Sequence, residues 1–481
     1  MVHEILSSLL GLVYLKELNV LELSGESLKK ALRGGEITVS IIGLGHVGLP
    51  LACAWATAGA RVIGVDRNES IVSMVNRGLN PIRDEPGLDE IVEDLVLTNR
   101  LKASRDLPTA VGDSNVVILT IPTGVKWNEP GKPLDLMILR EVLEDVANSM
   151  GRGKLVVIES TVPPGTTLNI AKPLLEEVSG LRVEEDFGLA YSPERIMSGH
   201  AYEDIVENYP KIVSGVGSKS LRAIKALYEV IARKGVIAVS SPIVAEFEKI
   251  VEGIYRDVNI ALANELAKMA QALRVDFEEV RAAANSQPYC HLHKPGTGVG
   301  GYCIPIYPYF AMHVAMLEGL ELPLTRLARI INESMPEYIA SLTLKAISTL
   351  GLKPGEARVS ILGLAFRGDV GDTRLTPTYD LIRHLEAYDI NDIAIHDPYA
   401  GGGSAKYPLY RSLEDALRER SIIVVATDHS IYKNIEPSKL IEMTGVEKVA
   451  IVDGRDIVDF KKLPEKNVVY VGVGRPWIIK L

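Results

Sequence analysis

Short runs of apolar residues recur along the first half of the chain, and each is followed by a longer stretch with helical spacing. Apolar runs of this length are typical of strands that are buried on both faces of a parallel sheet. The predicted strands of this half are 38–42, 61–65, 116–121, 155–158 and 187–191. Because they alternate with stretches of helical length, the sequence predicts a doubly wound α/β sheet.

A second set of apolar runs follows residue 350 and predicts a second, smaller α/β unit. Its predicted strands are 359–362, 392–396, 422–426 and 449–452, and a helix is predicted over 373–385. Between the two sets, apolar residues recur at steps of three and four from residue 242 to about residue 273, which predicts one long helix. The predicted fold class is α/β, with two Rossmann-like doubly wound domains joined by a long central helix and a helical middle domain.

These patterns divide the chain into four segments. They are a helical N-terminal extension at 1–36, a Rossmann-like domain at 37–240, a central helical domain at 241–350, and a C-terminal Rossmann-like domain at 351–481. Within the extension, Ile5–Val20 is apolar but lacks a basic leader, and Lys16 and Glu17 interrupt it before it could span a membrane. We interpret it as an amphipathic helix, with a membrane-surface anchor as the alternative.

The composition is that of a well-filled globular protein of several domains. The chain has 481 residues, 47% of them hydrophobic, and a mean hydropathy of +0.14, which argues against overall disorder. A net charge of −10 argues against general affinity for nucleic acid. The 3 cysteines form no disulfide scaffold and no set with metal-ligand spacing, so we expect no metal and a cytoplasmic location.

A dinucleotide fingerprint follows the first strand. Gly43, Gly45 and Gly48 lie between the strand and an apolar helix, and Asp66 ends the next strand. The acid at this position favours NAD over NADP, because it accepts hydrogen bonds from the ribose and repels a 2′-phosphate. Thr123 and Thr161 follow two further strands, where ligands bind in open α/β sheets. Each threonine is therefore a candidate cofactor contact, and each is also an ordinary cap or turn residue.

Two further segments carry candidate chemistry. Glu194 follows the strand at 187–191 at the edge of the sheet where ligands bind, so it is a candidate base or water-binding group. The alternative for Glu194 is a solvated acid of a loop. The segment Gly296–Phe310 places the thiol of Cys303 behind four glycines, which allow the backbone to approach a phosphate or a sugar closely. Its prolines, Pro305 and Pro308, predict that no helix begins immediately. The alternative is a surface loop that happens to contain a buried cysteine.

Seven ordered motifs give the chain a resemblance to a known family. They are GLGHVGLPLA (43–52), IPT (121–123), ESTVPPGTT (159–167), SPER (192–195), FEKIVEGIYRDVNIALANELA (247–267), GTGVGGYCIP (296–305) and LGLAFRGDVGDTR (362–374). From about Glu36 onward the chain resembles the UDP-glucose/GDP-mannose dehydrogenase family of NAD-dependent oxidoreductases. Within that family it is most similar to the members that oxidise UDP-N-acetyl-D-mannosamine to UDP-N-acetyl-D-mannosaminuronate.

The resemblance implies a four-electron oxidation of a CH–OH group with two NAD per turnover. It makes Cys303 the nucleophile that forms a thiohemiacetal and then a thioester. It makes Lys249 the group that steadies oxyanion charge or exchanges a proton, and Glu194 the group that activates water. The implied NAD contacts are Val47, Asp66, Thr123, Thr161 and, from a neighbouring subunit of a homodimer or larger oligomer, Arg374. The implied sugar-nucleotide contacts are Arg195, Ile196, Arg256, Phe366, Arg367 and Arg455, to which we add His291 and Gly298.

The chain departs from the family pattern near the proposed nucleophile. Gly253 stands four positions after Lys249, where the family carries Asn, and Tyr307 stands four positions after Cys303, where it carries Asp. Tyr302 replaces a histidine, and the usual HPRVN segment reads QPYCH at 287–291, so that only its proline is kept.

These departures leave three hypotheses open. The first is a working UDP-sugar dehydrogenase with a divergent substrate. The second is a catalytically weak paralogue that binds nucleotide sugar or NAD as a sensor or as a partner of an active copy. The third is a dehydrogenase of the 6-phosphogluconate or 3-hydroxyacid type, which needs no thiol.

Overall fold

The computed structural model describes residues 18–82, 84–401 and 406–481. The chain forms two compact units. The first contains the chain up to Val251 together with Tyr309–Val314, and the second contains Glu252–Pro308 and Ala315–Leu481. The helix predicted for Ile5–Val20 falls almost entirely outside the described residues. The described part of the predicted extension contains helix α1 (Gly25–Arg33), which begins at the N-cap Ser24.

Among the described residues, the first unit contains ten short strands. They are β1 (Thr38–Ile42), β2 (Arg61–Val65), β3 (Leu101–Ser104), β4 (Val116–Leu119), β5 (Gly124–Val125), β6 (Leu134–Asp135), β7 (Leu155–Ile158), β8 (Gly188–Tyr191), β9 (Lys211–Gly215) and β10 (Val236–Ala238). After α1, its helices are α2 (Gly48–Thr57), α3 (Glu69–Asn76), α4 (Leu88–Leu97), α5 (Leu107–Asp113), α6 (Met137–Ser149), α7 (Lys172–Ser179), α8 (Ala201–Glu203) and α9 (Ser218–Ile231). Two single turns of π-helix lie at Thr167–Ala171 and Asp204–Asn208.

Eight of these strands form one sheet in the order β10-β9-β8-β7-β4-β1-β2-β3. All neighbours are parallel except β8 and β9, which are antiparallel. Successive residues of a strand point to opposite faces, so Val39 and Ile41 pack into one core while Ile42 packs into the other. The sheet is therefore buried on both faces, and its order reverses between β1 and β4, where α/β sheets bind ligands.

Helix α10 (Pro242–Leu273) begins in the first unit and ends in the second, with the bounds that the sequence predicts. The further helices of the chain are α11 (Phe277–Ala284), α12 (Tyr307–Leu317), α13 (Pro323–Glu333), α14 (Met335–Thr349), α15 (Pro377–Ala387), α16 (Leu413–Leu417), α17 (Ser430–Lys433) and α18 (Pro437–Glu442). Short 3₁₀ turns lie at Pro354–Glu356 and Phe460–Lys462.

The second unit has a sheet of seven strands in the order β13-β12-β11-β14-β15-β16-β17. The strands are β11 (Arg358–Leu362), β12 (Asp392–His396), β13 (Leu409–Tyr410), β14 (Ile422–Val425), β15 (Val449–Asp453), β16 (Val468–Gly472) and β17 (Ile478–Lys480). Only the last pair, β16 and β17, is antiparallel. The predicted fold class is therefore confirmed: two Rossmann-like parallel sheets with a helical region between them along the chain.

Two local predictions are wrong. The helix predicted over 373–385 begins only at Pro377, because Thr376 caps it by accepting from the amide of Thr378, and residues 373 and 374 stay in a loop. The prolines of the cysteine segment do not delay a helix, since α12 begins at Tyr307 with Pro308 as its second residue. The first turn of a helix tolerates proline, because its amides have no partner within the helix.

Candidate active site

The turn between β1 and α2 has the geometry of a dinucleotide cradle. Gly43 has a φ of +100°, and a Cβ on Gly48 would lie 1.7 Å from the carbonyl oxygen of Gly43. Both glycines are therefore required by the packing of the turn itself. A Cβ on Gly45, in contrast, would meet nothing within 4 Å. Gly45 therefore leaves open space at the start of α2, directly before the N-cap Val47. This space fits a pyrophosphate bound at the helix N-terminus.

The two Rossmann-like sheets differ at the acid that follows their second strand. Asp66 follows β2, is half-buried, and accepts from the amide of Leu44 at 2.9 Å. Asp397 follows β12, is fully buried, and accepts from four backbone amides, those of Leu364, Ala365, Tyr399 and Ala400, at 2.7–2.8 Å. Both acids thus bind their own glycine turn, and the other oxygen of Asp66 accepts from the amide of Asn68 at 2.8 Å. The difference is exposure: Asp397 is fully enclosed, whereas Asp66 keeps exposed surface.

The two candidate threonines of the first sheet lie together. Thr123 and Thr161 follow the neighbouring strands β4 and β7, and the hydroxyl of Thr123 donates to the carbonyl of Thr161. Both side chains are half-buried. The loop that follows Thr161 is held by the buried carboxylate of Glu246 on α10, which accepts from the amides of Gly165 at 2.6 Å and Thr167 at 2.8 Å.

Glu194 is also buried, and it lies at the same carboxyl edge of the first sheet as Thr123 and Thr161. Its Oε1 accepts from the amide of Arg195 at 2.8 Å, and its Oε2 accepts from Nζ of Lys211 at 2.5 Å. The guanidinium of Arg195 lies 5.0 Å from the ring centre of Tyr209 and donates to the carbonyl of Pro210. Ile196 packs against the core of the first unit. Lys249, on α10, is also buried and belongs to the first unit.

Cys303 belongs to the second unit, and its side chain is exposed. This rules out the alternative of a buried cysteine, which describes Cys53 instead, where burial raises the pKa of the thiol to about 12. The carbonyl of Cys303 accepts from the amides of Ile306 and Tyr307 at 3.0 and 3.1 Å, so the residue lies directly before α12. An exposed thiol on a fixed turn is accessible to a substrate carbon.

The glycines before Cys303 allow the loop to lie against the second Rossmann-like sheet. A Cβ on Gly300 would lie 2.6 Å from Cβ of Phe366, and one on Gly301 would lie 2.9 Å from Cζ of the same ring. Gly298 has a φ of +143°, and a Cβ there would lie 2.9 Å from Pro377. Close approach and positive φ together explain why the segment contains four glycines.

Arg374 lies beside the cysteine within the same chain. The amide of Gly301 donates to the carbonyl of Arg374 at 3.0 Å, and the guanidinium lies 5.3 Å from the ring centre of Tyr302. Asp372 pairs with Arg374 and, with smaller contributions from Cys303 and Tyr302, raises the pKa of the guanidinium.

The remaining candidates of the second unit lie at different places. Arg455 lies against Gly296, where a Cβ would meet its Nη1 at 2.9 Å, and it pairs with Asp428 at 2.8 Å. Arg367 is half-buried in the loop after β11, while Arg256 and His291 are exposed. The backbone carbonyl of His291 accepts from Asn259 at 2.8 Å.

Several polar residues that position these groups were not predicted. Asn259 and Asn264 of α10 hold the segment before Cys303, since Asn264 accepts from the amide of Gly296 at 2.9 Å and Asn259 accepts from that of His293 at 2.9 Å. Glu159 and Lys211 are buried at the edge of the first sheet. The sequence did contain a signal for these residues, namely a polar residue within or beside an apolar pattern. Asn264 lies within the apolar pattern of α10, and Glu159 and Lys211 lie next to apolar strands.

No helix within the described ranges is long and apolar enough to cross a membrane. Over the same residues, no group of three or more His, Cys, Asp or Glu side chains is arranged to hold a metal ion. The first unit thus contains an open dinucleotide cradle, and the second unit contains an exposed thiol on a glycine loop. This fold and site define an NAD-dependent oxidoreductase with two Rossmann-like domains.

Comparison with known families names that class more closely. Three family models match in order along the chain, all from the UDP-glucose/GDP-mannose dehydrogenase family: the NAD binding domain at 37–232, the central domain at 243–334 and the UDP binding domain at 360–460. The chain belongs to the UDP-glucose/GDP-mannose dehydrogenase family. The hypothesis of a 6-phosphogluconate or 3-hydroxyacid type dehydrogenase is therefore excluded.

Similar proteins of known name cover nearly the whole chain. UDP-N-acetyl-D-mannosamine dehydrogenase of Pyrococcus horikoshii is 35% identical over 91% of this chain and 99% of its own length. The solved structure of that enzyme superposes with a TM-score of 0.83 over 91% of this chain and 99% of that one, at 34% identity. NDP-N-acetyl-D-galactosaminuronic acid dehydrogenase of Ralstonia solanacearum is 30% identical over 89% of this chain and 97% of its own length.

Proposed function

We propose that the protein is an NAD-dependent UDP-sugar 6-dehydrogenase that converts UDP-N-acetyl-D-mannosamine to UDP-N-acetyl-D-mannosaminuronate. The observation that carries the proposal is the exposed thiol of Cys303 on a loop that lies against Phe366, a residue of the matched UDP binding domain. Such a loop brings a nucleophile beside a sugar nucleotide bound to that domain. The mannosamine substrate is favoured because it is the one that the Pyrococcus horikoshii relative is named for.

The reaction removes four electrons from a primary alcohol. When bound, NAD supplies the hydride acceptor for each of the two oxidations. After the first oxidation, the sulfur of Cys303 adds to the aldehyde carbon and gives a thiohemiacetal, whose oxidation gives a thioester. Water then attacks the thioester carbon, the C–S bond breaks, and the products are the carboxylate and the free thiol. Glu194 accepts the proton of the attacking water, and Lys249 steadies the negative charge on the carbonyl oxygen.

The binding residues follow the two halves of the reaction. We assign NAD to the turn of Gly43, Gly45, Val47 and Gly48 with Asp66, Thr123 and Thr161, and to Arg374 of a neighbouring subunit. We assign the sugar nucleotide to Arg195, Ile196, Arg256, His291, Gly298, Phe366, Arg367 and Arg455. Guanidinium groups suit the diphosphate, because their planar donors bind two oxygens at once.

We also propose a homodimer or a larger homo-oligomer. Tyr255, Leu262 and Met269 recur every seven residues along α10 and are exposed, so they form one apolar stripe. Helix α13 adds the exposed Leu324, Leu327 and Ile330. Two neighbouring helices with apolar exposed faces fit contact with a second copy. The cytoplasm is the expected compartment, since Cys53, Cys290 and Cys303 are all unbridged.

The experiment is incubation of the purified protein with NAD and a panel of UDP-sugars. We expect two NADH for each UDP-N-acetylmannosamine consumed, and we expect Cys303→Ala to abolish the acid while the affinity for NAD stays within about twofold of wild type. Cys290→Ala is the matched control and keeps turnover. If no sugar of the panel gives NADH, the proposal is wrong; if Cys303→Ala still forms the carboxylate, the covalent route is wrong.

The second hypothesis, a binding paralogue of low activity, keeps one specific observation in its favour. The ring of Tyr307 occupies the space beside Gly253, at the two positions where the family carries polar residues. Removal of one oxyanion donor can cost about 10²–10³ in rate. Tight binding of UDP-N-acetylmannosamine by calorimetry without turnover would support this hypothesis, and two NADH per sugar would reject it.

A further inference from the structure

A buried lysine connects Glu194 to a second carboxylate. Nζ of Lys211 donates to Oε2 of Glu194 at 2.5 Å and to Oε2 of Glu159 at 2.9 Å. The other oxygen of Glu159 accepts from the hydroxyl of Tyr228 on α9. All four residues are buried. Two carboxylates and one ammonium group are thus joined by hydrogen bonds inside the first unit.

The topology of the sheet explains how the lysine reaches this place. Glu159 directly follows β7, and Glu194 lies three residues beyond the end of the parallel neighbour β8, so both are at the carboxyl edge. Strand β9 runs antiparallel to β8, with Ser214 opposite Tyr191. The first residue of β9, Lys211, therefore lies at the edge where β8 ends. A parallel strand in that position would have put its first residue at the opposite edge.

The charges of the cluster depend on one another. Burial opposes the charge of Lys211, but Glu159 and Glu194 outweigh it and raise the pKa of the ammonium group. Burial raises the pKa of Glu159, and Lys211 acts against that rise. A lysine between two carboxylates is charged and fixed in position, because each of its short bonds would have to break for it to move.

A small cavity adjoins the cluster. Its volume is about 10 Å³, which is room for about one water molecule. Its polar lining residues are Glu194, Arg195, Asp204, Tyr209 and Lys211. A buried water needs two to four polar partners, and a lining of this polarity fits that requirement. The carboxylate that Lys211 fixes is therefore at the wall of a site of the right size and polarity for water.

We propose that Lys211, braced from behind by Glu159 and Tyr228, is the positioning residue that holds Glu194 for hydrolysis of the thioester. The inference rests on the proposed function. In the step concerned, the oxygen of water bonds to the thioester carbon, one water proton passes to the Glu194 carboxylate, and the C–S bond breaks to release the Cys303 thiolate. This step transfers no electrons, so a defect confined to it leaves both hydride transfers intact.

The experiment separates hydride transfer from hydrolysis. Enzyme is mixed rapidly with UDP-N-acetylmannosamine and excess NAD, and NADH is recorded through the first turnover and into the steady state. For Lys211→Met we expect a burst approaching two NADH per site, then a steady-state rate about 10²-fold below wild type, within the 10²–10⁴ range of a positioned general base. Glu194→Gln should give the same pattern, and mass spectrometry of the quenched protein should show an acyl group on Cys303.

Two variants test whether position is what matters. Lys211→Arg keeps a cationic donor and should recover part of the steady-state rate, and Glu159→Gln, which keeps an acceptor for the lysine, should show the burst with a smaller fall. Lys154→Met is the matched control: this lysine is half-buried at the opposite edge of the sheet, directly before β7, and donates to the carbonyl of Gly112 at 2.9 Å. It should show no accumulation of acyl-enzyme.

The outcomes are distinguishable. The inference is overturned if wild type makes two NADH per sugar while folded Lys211→Met hydrolyses within threefold of wild type, or loses the burst as well. If Lys211→Met does not fold, Glu159→Gln decides, and a wild-type hydrolysis rate in that variant overturns the inference. A wild-type enzyme that makes no NADH from any UDP-sugar rejects the proposed function and, with it, this inference.

Discussion

The ring of Tyr307 lies directly against Gly253. A Cβ on Gly253 would be 2.4 Å from Cδ2 of Tyr307 and 3.2 Å from its Cβ and Cγ, and the tyrosine is itself buried. The amide of Tyr307 donates to the carbonyl of Cys303 at 3.1 Å, so this contact lies directly beside the turn that carries the thiol. The two departures from the family pattern are therefore one matched change: tyrosine at 307 requires glycine at 253.

The first prediction follows from this contact. Gly253→Ala should lower the free energy of unfolding by about 2 kcal/mol, because the new methyl group overpacks a buried site. Tyr307→Ala should relieve that clash, so the double variant should be more stable than the sum of the two single changes by at least about 1 kcal/mol. Unfolding of the four proteins in guanidinium chloride measures this coupling.

The matched control for this cycle is Gly112→Ala. Gly112 also lies in a helix, but a Cβ there would meet nothing within 4 Å. Without a clash, alanine should stabilise that helix by about 0.5–1 kcal/mol. Strict additivity of Gly253→Ala and Tyr307→Ala would show that the two residues are independent.

The second prediction concerns the glycines of the cradle. Gly45→Ala should change stability by less than about 0.5 kcal/mol, because its Cβ would stand in open space, yet it should weaken NAD about tenfold, since the methyl group takes the place of the pyrophosphate. Gly48→Ala should destabilise by about 3 kcal/mol or more, because its Cβ would overlap the carbonyl of Gly43. Calorimetric titration with NAD and thermal unfolding separate the two effects. Unchanged NAD affinity in Gly45→Ala would contradict the assignment.

The third prediction concerns pH and stability. The amide of Asp369 donates to Nδ1 of His429 at 2.9 Å, so Nε2 carries the proton and donates to Asp397. Although burial opposes ionisation, His429 and the amides of Ala365 and Ala400 lower the pKa of Asp397 below its ordinary value of 3.8. A lowered folded pKa adds stability above the unfolded value, and that stability is lost as the pH falls.

Asp397→Asn should therefore lower the free energy of unfolding by about 3 kcal/mol at pH 7, since it leaves buried donors without their charged acceptor. The difference between the variant and wild type should shrink as the pH falls from about 5 toward 2. Glu90→Gln is the control, because Glu90 is an exposed acid of α4. A difference that stays constant with pH would contradict the assignment of the charge to Asp397.

The fourth prediction tests the proposed oligomer. Leu327→Glu on α13 should reduce the molar mass in light scattering to that of the monomer, because a charge would be buried against a second copy. Leu97→Glu on α4 is the matched control, since Leu97 is more exposed than Leu327 and lies on neither α10 nor α13. Both changes concern exposed side chains, so neither should alter folding by more than about 0.5 kcal/mol. An unchanged mass for Leu327→Glu would argue against this face.

The sequence by itself determined the architecture of the chain and its class of enzyme. Apolar runs placed the strands, because a strand buried on both faces must be apolar throughout, and the spacing of glycines placed the cradle, because only glycine fits a turn that closes on itself. Helix α10 came out with the predicted bounds, since its apolar stripe and Pro242 are both visible in the sequence. The error at residues 373–376 arose because a capping threonine, and not the apolar pattern, sets where α15 begins.

Only the tertiary structure decided which polar residues meet. Glu159, Glu194 and Lys211 are 52 positions apart in the chain from first to last, and they meet because β9 reverses direction at the edge of the sheet. Gly253 and Tyr307, each a separate departure in the sequence, form one contact between α10 and the start of α12. Local patterns report how each segment folds, whereas a charge or a ring acts on whatever lies beside it in space, and a single sequence does not encode that proximity in its spacing.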